Sequence, residues 1–162
     1  IPPAVEALIY QMFGSQRLDT EEESREAEFK FVDLFAGIGG MRLGFEKTGG
    51  RCVYSSEWNR FARKTYEKNF GNSLNPLDEM DIRKVPEKNI PQHDVLLAGF
   101  PCQPFSKSGS QEGFKDETRG TLFHEIMRIV KDANPKILFL ENVPNLESHD
   151  GGNTYQIIKQ SI

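Results

Sequence analysis

The chain has 162 residues, 37% of them hydrophobic and 27% charged, a balance ordinary for one soluble domain with one substantial core. No apolar stretch approaches the length of a membrane span and no signal peptide opens the sequence, so neither a membrane protein nor a secreted one is expected. The net charge of −4 weighs against a nucleic-acid module taken whole, though not against an enzyme whose basic surface is local, and the two cysteines exclude a disulfide scaffold and point to a reducing cytoplasm.

In chain order, residues 2–13 read as a short amphipathic helix, with Val5, Leu8, Ile9 and Met12 at helical spacing. The run DTEEESREAE at 19–28 reads as a solvated acidic linker. From Phe29 the pattern changes. FKFVDLF predicts a strand, GIGG a turn, and MRLGFEKTGG a helix ended by glycines. RCVYSS predicts a second strand and NRFARKTYEKNF a second helix. A short third strand is expected near Met80–Ile82, and the apolar run DVLLAGF predicts a fourth. A polar loop, QPFSKSGSQEGFKDET, follows. TLFHEIMRIVKD then predicts a helix with Leu122, Ile126, Ile129 and Val130 on one face, KILFLENV a fifth strand, and GNTYQIIKQSI a further helix. Strands alternate with helices and read as continuous apolar runs, as parallel strands covered on both faces do. The fold class is therefore α/β, a doubly wound and mostly parallel sheet. Ile1 is not Met and the last residues read as a helix in progress, so both ends look cut or processed.

In such sheets ligands bind beyond the carboxyl ends of the strands. The five expected strand ends carry DLFAGIGG, SSEWN, MDI, GFPCQ and ENV. Glycines at 37, 39 and 40 allow a sharp turn and close approach to a ligand, although a bare turn would use them equally well. Glu57 can accept hydrogen bonds from the hydroxyls of a ribose. Trp58, the lone tryptophan, suits stacking on a base or facing a cation, where its ordinary alternative is a core position. Asp81 suits acceptance from an exocyclic amine, or the capping of a turn. Cys102 stands between Pro101 and Pro104, which hold its thiol at a defined point past the strand. A cysteine so placed suits a nucleophile, whereas Cys52, inside an apolar strand, suits an inert core position. Glu141 emerges from a buried strand and suits acid catalysis, or a surface ion pair. His93, His124 and His149 have no metal-ligand spacing and no CxxC occurs, so no metal is expected.

DLFAGIGG, EW, DI, GFPCQPFS, RGTLFHEI and ENV, in that order, resemble the cytosine-5 DNA methyltransferases, above all those of bacterial restriction–modification systems. The resemblance runs from Phe29 to Ile162. It implies a Rossmann-like fold that binds S-adenosylmethionine, truncated after the fifth strand and its following helix. The domain division is then 1–28, helix and linker, and 29–162, an incomplete catalytic domain. By resemblance Cys102 is the nucleophile that adds to carbon 6 of cytosine, and Glu141 is the carboxyl that donates to ring nitrogen 3. Phe35, Gly37, Ile38 and Gly40 would border the cofactor, Glu57 would take the ribose, and Trp58 would lie by the adenine and sulfonium. Asp81 and Ile82 would hold the adenine, with Gly99, Pro101 and Leu122 closing the pocket. The cytosine must leave the duplex to be reached, and the loop residues Gln103, Ser106, Lys107, Ser108, Lys115 and Arg119 are the expected contacts to DNA.

The resemblance also implies parts that are absent: a Gln-Arg-Arg motif, a target-recognition domain and a last helix that completes the cofactor site. The chain then reads as a fragment or as one subunit of a split methyltransferase, inactive alone, in a bacterial cytoplasm; the expected partner is double-stranded DNA, joined in the split case by a second chain carrying the target-recognition domain. Two alternatives stand beside this reading. One is a tRNA cytosine-5 methyltransferase, which shares the motifs; the other is a non-catalytic, cofactor-binding subunit of a split enzyme.

Overall fold

The computed structural model describes residues 27–71, 81–101 and 122–162. The expected N-terminal helix, nearly all of the acidic run, Met80, Cys102 and the loop after Cys102 lie outside the described residues.

Four strands form the sheet: β1 (Phe29–Leu34), β2 (Gly50–Ser56), β3 (Val95–Gly99) and β4 (Ile137–Glu141). All pairings are parallel, in the order β2-β1-β3-β4. Parallel neighbours need crossovers, and these are supplied in part by α1 (Gly40–Glu46), α2 (Arg60–Phe70) and α3 (Leu122–Ala133); α4 (Asn153–Ser161) follows β4. Asn59 caps α2, its Oδ1 accepting from the N–H groups of Phe61 at 2.9 Å and Ala62 at 3.2 Å.

Side chains alternate across the sheet, and each face has its own core. On one face Phe29 and Phe31 of β1 and Val95 and Leu97 of β3 pack with Phe45 of α1. The Phe45 ring lies 5.8 Å from Phe31 and 5.4 Å from Phe139, centroid to centroid. On the other face Val32, Leu34, Leu96 and Ala98 meet Ile126 and Ile129 of α3 and Ile158 of α4. Helices thus cover both faces, as the doubly wound class requires. The buried stripe of α3 runs through Phe123, Ile126 and Ile129, and Leu122 lies at the margin.

The expected third strand is a correction. Ile82–Lys84 is a 3₁₀ turn, capped by Asp81, whose Oδ1 accepts from the Arg83 N–H at 3.1 Å. The two apolar residues there, Ile82 and Val85, are three apart, which suits one helical turn and not the alternation of a strand. Both are buried in the α3-side core. Arg128 of α3 fixes the turn from outside, donating to the Ile82 carbonyl at 3.0 Å and pairing with Glu87 at 3.1 Å and Glu125 at 2.9 Å. No helix among the described residues is long and apolar enough to cross a membrane.

Leu96 is fully buried between β1 and the helices. Leu96→Ala is expected to cost about 2–5 kcal/mol of stability, measured as a lower urea midpoint at unchanged slope.

Candidate functional site

β1 connects forward to β2 on one side, while β3 lies on its other side. Loops leaving the carboxyl ends diverge at such a reversal and leave a crevice. A cleft of about 250 Å³ opens there. Its walls come from Phe35 after β1, Glu57 and Trp58 after β2, Gly99 and Pro101 at the end of β3, and Leu122 at the start of α3. Asp81, Ile82 and Arg83 of the 3₁₀ turn complete the lining. Of the eleven residues expected at a cofactor, eight line this one cleft.

Gly37, Ile38 and Gly40 are not in the lining. Gly37 and Ile38 belong to the turn that carries the chain from β1 into α1, which Gly40 opens; Phe35, Gly37 and Gly39 there all have positive φ, at 56°, 58° and 90°. A side chain at Gly39 would also strike the Phe70 ring, so glycine is required there on two counts. Glu57 braces this turn. Its Oε2 accepts from the Gly37 N–H at 2.8 Å and its Oε1 from the Asn59 N–H at 2.6 Å. One carboxylate therefore joins the loop after β1 to the loop after β2, and each oxygen keeps a lone pair for a ligand.

Trp58 is 69% exposed, so the core alternative does not apply. Asp81 both caps its turn and lines the cleft. Glu141 is exposed at the end of β4, directly across the ladder from Gly99. A Cβ on Gly99 would come 3.4 Å from Glu141 Oε2 and 3.2 Å from the Met41 methyl, so the glycine leaves the carboxylate room beside the β3 end. Cys102 and the loop residues Gln103, Ser106, Lys107, Ser108, Lys115 and Arg119 are outside the described residues, but Pro101, the residue before Cys102, lines the cleft. Burial pushes the Cys52 thiol up to about 12, consistent with the inert role expected of it.

A family model for the C-5 cytosine-specific DNA methylases matches residues 29–162. The chain belongs to that family. It is 54% identical over 133 residues to the type II methyltransferase M.HhaI of Haemophilus parahaemolyticus, covering 82% of this chain and 39% of that protein. It is 51% identical over 145 residues to the type II methyltransferase M.MspI of a Moraxella species, covering 90% of this chain and 34% of that one. The chain thus spans well under half the length of these relatives. Among solved structures, the Dnmt2 methyltransferase of S. pombe shares the fold at a TM-score of 0.60 and 23% identity, over 82% of this chain and 41% of that chain.

Three further residues take parts that the sequence did not announce. Arg83 lines the cleft. Asn142 of the ENV motif donates from Nδ2 to the Phe100 carbonyl at 2.6 Å, tying the end of β4 to the segment that leads to Cys102. Only side-chain direction reveals these two. Asp33, in the motif DLFAGIGG, is fully buried on the α1 face, beside the backbone and charge of Arg42. Desolvation pushes its carboxyl up to about 7, against the pull of the nearby Arg42 charge. Arg42 is itself held by Glu46 at 2.7 Å and Tyr66 at 3.3 Å, with its guanidinium 4.3 Å from the centre of the Phe70 ring.

The Asp33 shift makes stability depend on pH. The folded chain keeps the Asp33 proton up to about pH 7, whereas an unfolded aspartate releases it near 3.8. The native state then binds more protons than the unfolded state, so Asp33's contribution is full below pH 3.8 and lost as pH rises to 7. Relative to Asp33→Asn, the wild type is expected to lose on the order of 3 kcal/mol across that window. Urea unfolding of both proteins at several pH values measures the difference.

Proposed function

We propose that this chain carries the cofactor site and the nucleophile of an enzyme that transfers a methyl group to carbon 5 of a flipped-out cytosine in DNA, in bacterial restriction–modification. The observation that carries the reading is the meeting of Glu57, Trp58, Asp81 and Pro101 at one cleft on the sheet's switch point.

The lining fits S-adenosylmethionine in its donor and acceptor chemistry. Glu57 has free lone pairs for ribose hydroxyls, Asp81 is an acceptor for a purine amine, and Trp58 offers an exposed aromatic face. Phe35, Ile82 and Leu122 supply apolar surface for the purine. When bound, this group supplies an electrophilic methyl. The chain's own residues prepare the acceptor. Carbon 5 of cytosine is a poor nucleophile until the Cys102 thiolate bonds to carbon 6 and turns the ring into an enamine. Glu141 holds a proton at ring nitrogen 3 and so offsets the charge that the addition creates. Once carbon 5 is methylated, its remaining proton passes to a base and the Cys102–carbon 6 bond breaks, which releases the thiolate. Glu141 Oε2 beside Gly99, three residues before Cys102, supports this pairing of roles. The target-recognition function is assigned to a segment or partner chain beyond the part of the relatives that this chain covers.

Two measurements test the reading. Glu57→Ala should bind S-adenosylhomocysteine about ten- to a hundred-fold more weakly, the cost of losing a charge-assisted hydrogen bond, with Trp58 fluorescence as the readout; an unchanged affinity would remove the cofactor assignment. For the chemistry, the chain is assayed together with the part of a relative that it does not cover. Labelled methyl should reach DNA and not tRNA, and DNA containing 5-fluorocytosine should be trapped covalently by the wild type but not by Cys102→Ser. Transfer to tRNA alone would replace the DNA reading, and trapping by Cys102→Ser would end the assignment of the nucleophile.

A further inference from the structure

Asp81 spends its carboxylate on Arg83. Its Oδ1 accepts from the Arg83 backbone N–H at 3.1 Å and from Nε at 2.8 Å. Its Oδ2 accepts from Nη2 at 2.7 Å and from Nε at 3.1 Å. A carboxylate has about four acceptor sites in all, so little capacity remains for a ligand. The same guanidinium lies 6.0 Å from the centre of the Trp58 ring, the other recognition group of the cleft. The turn beneath cannot yield easily, because Ile82 and Val85 are buried and Arg128 holds the Ile82 carbonyl. The Arg83 side chain can, since about half of it faces solvent.

A guanidinium only donates hydrogen bonds, and so does a purine amine toward a carboxylate. The two therefore compete for Asp81. We propose that Arg83 is a competitive latch on the cofactor site, covering the Asp81 carboxylate beside the Trp58 ring until a purine-bearing ligand displaces it. The proposal rests on the reading of this cleft as the S-adenosylmethionine site. The latch lowers affinity for cofactor and product alike, and by returning to Asp81 it favours product release. Its strength is that of an exposed ion pair, so its removal should tighten binding about two- to five-fold.

The test compares the wild-type chain with Arg83→Met, which keeps the aliphatic stem and removes the guanidinium. Calorimetric titration with S-adenosylhomocysteine at low salt should show the variant binding about two- to five-fold more tightly, and the gap should narrow near 1 M salt, where the Debye length is about 3 Å. Equal or weaker binding by the variant would overturn the latch, weaker binding marking Arg83 as a direct ligand contact. Failure of both proteins to bind counts against the cofactor reading. The latch is then judged without ligand, by NMR titration of the Asp81 carboxyl carbon. Arg83's hydrogen bonds hold that carboxyl below its ordinary value. Arg83→Met should raise it, and an unmoved titration would overturn the latch.

Discussion

β1 and β3 pair in parallel from Phe31 with Val95 to Leu34 with Ala98, and the residues of this ladder are buried on both faces. The cleft depends on that ladder. Because β1 is flanked by β2 on one side and β3 on the other, the loops leaving its carboxyl end and that of β3 part company there. The burial of Val32, Leu34, Leu96 and Ala98 fixes the height at which each loop begins. The turn after β1 is too strained to hold its shape alone, with a non-glycine residue, Phe35, at φ 56°. Glu57 supplies the brace, accepting Gly37 and Asn59 N–H groups. A residue singled out for ligand recognition is thus also part of what keeps the recognition surface in shape.

The buried Asp33–Arg42 region works on the same turn from below. Arg42 is one turn into the helix that the glycine loop opens, and Tyr66, Glu46 and Phe70 hold it in place. Such an arrangement is expensive as stabilisation, since desolvation raises Asp33 well above its ordinary value. Its physical effect is directional. Apolar packing on this face would accept several rotations of α1, whereas the hydrogen bond from Arg42 to Tyr66 of α2 accepts few. The Gly39 backbone, pressed against the Phe70 ring, has the same effect on α2.

Most of this was legible in the sequence, and the misses have definite causes. The apolar runs of β1 and β3 stand out because a strand buried on both faces has little polar alternation to confuse it, whereas β2 and β4 are only partly buried. The stretch around Asp81 misled because a short apolar pair reads equally as strand or turn; Ile82 and Val85 at a spacing of three, before Pro86, were the signal. The cleft residues were legible because strand ends in a doubly wound sheet converge whatever the side chains do. What sequence could not reveal was where side chains turn once they arrive. Arg83 folds back on the carboxylate two residues before it, and Asn142 reaches across to Phe100, and neither follows from spacing.

The two functions assigned to this edge of the sheet rest on unequal foundations. The cofactor walls rise from β1, β2 and β3, of which β1 and β3 have neighbours on both sides. Glu141 rises from β4, an edge strand among the described residues, whose side chains are only half-buried. An edge strand holds its terminal residue less firmly, since half of its backbone groups lack a ladder partner. Asn142 compensates at the point that matters, by anchoring the end of β4 to the Phe100 carbonyl. That bond adds to the β3–β4 ladder, which already sets Glu141 opposite Gly99. In the proposed chemistry Glu141 and Cys102 act on one small ring, and the placing of Glu141 for it rests on the β3–β4 ladder together with the Asn142 bond that extends that pairing past Gly99.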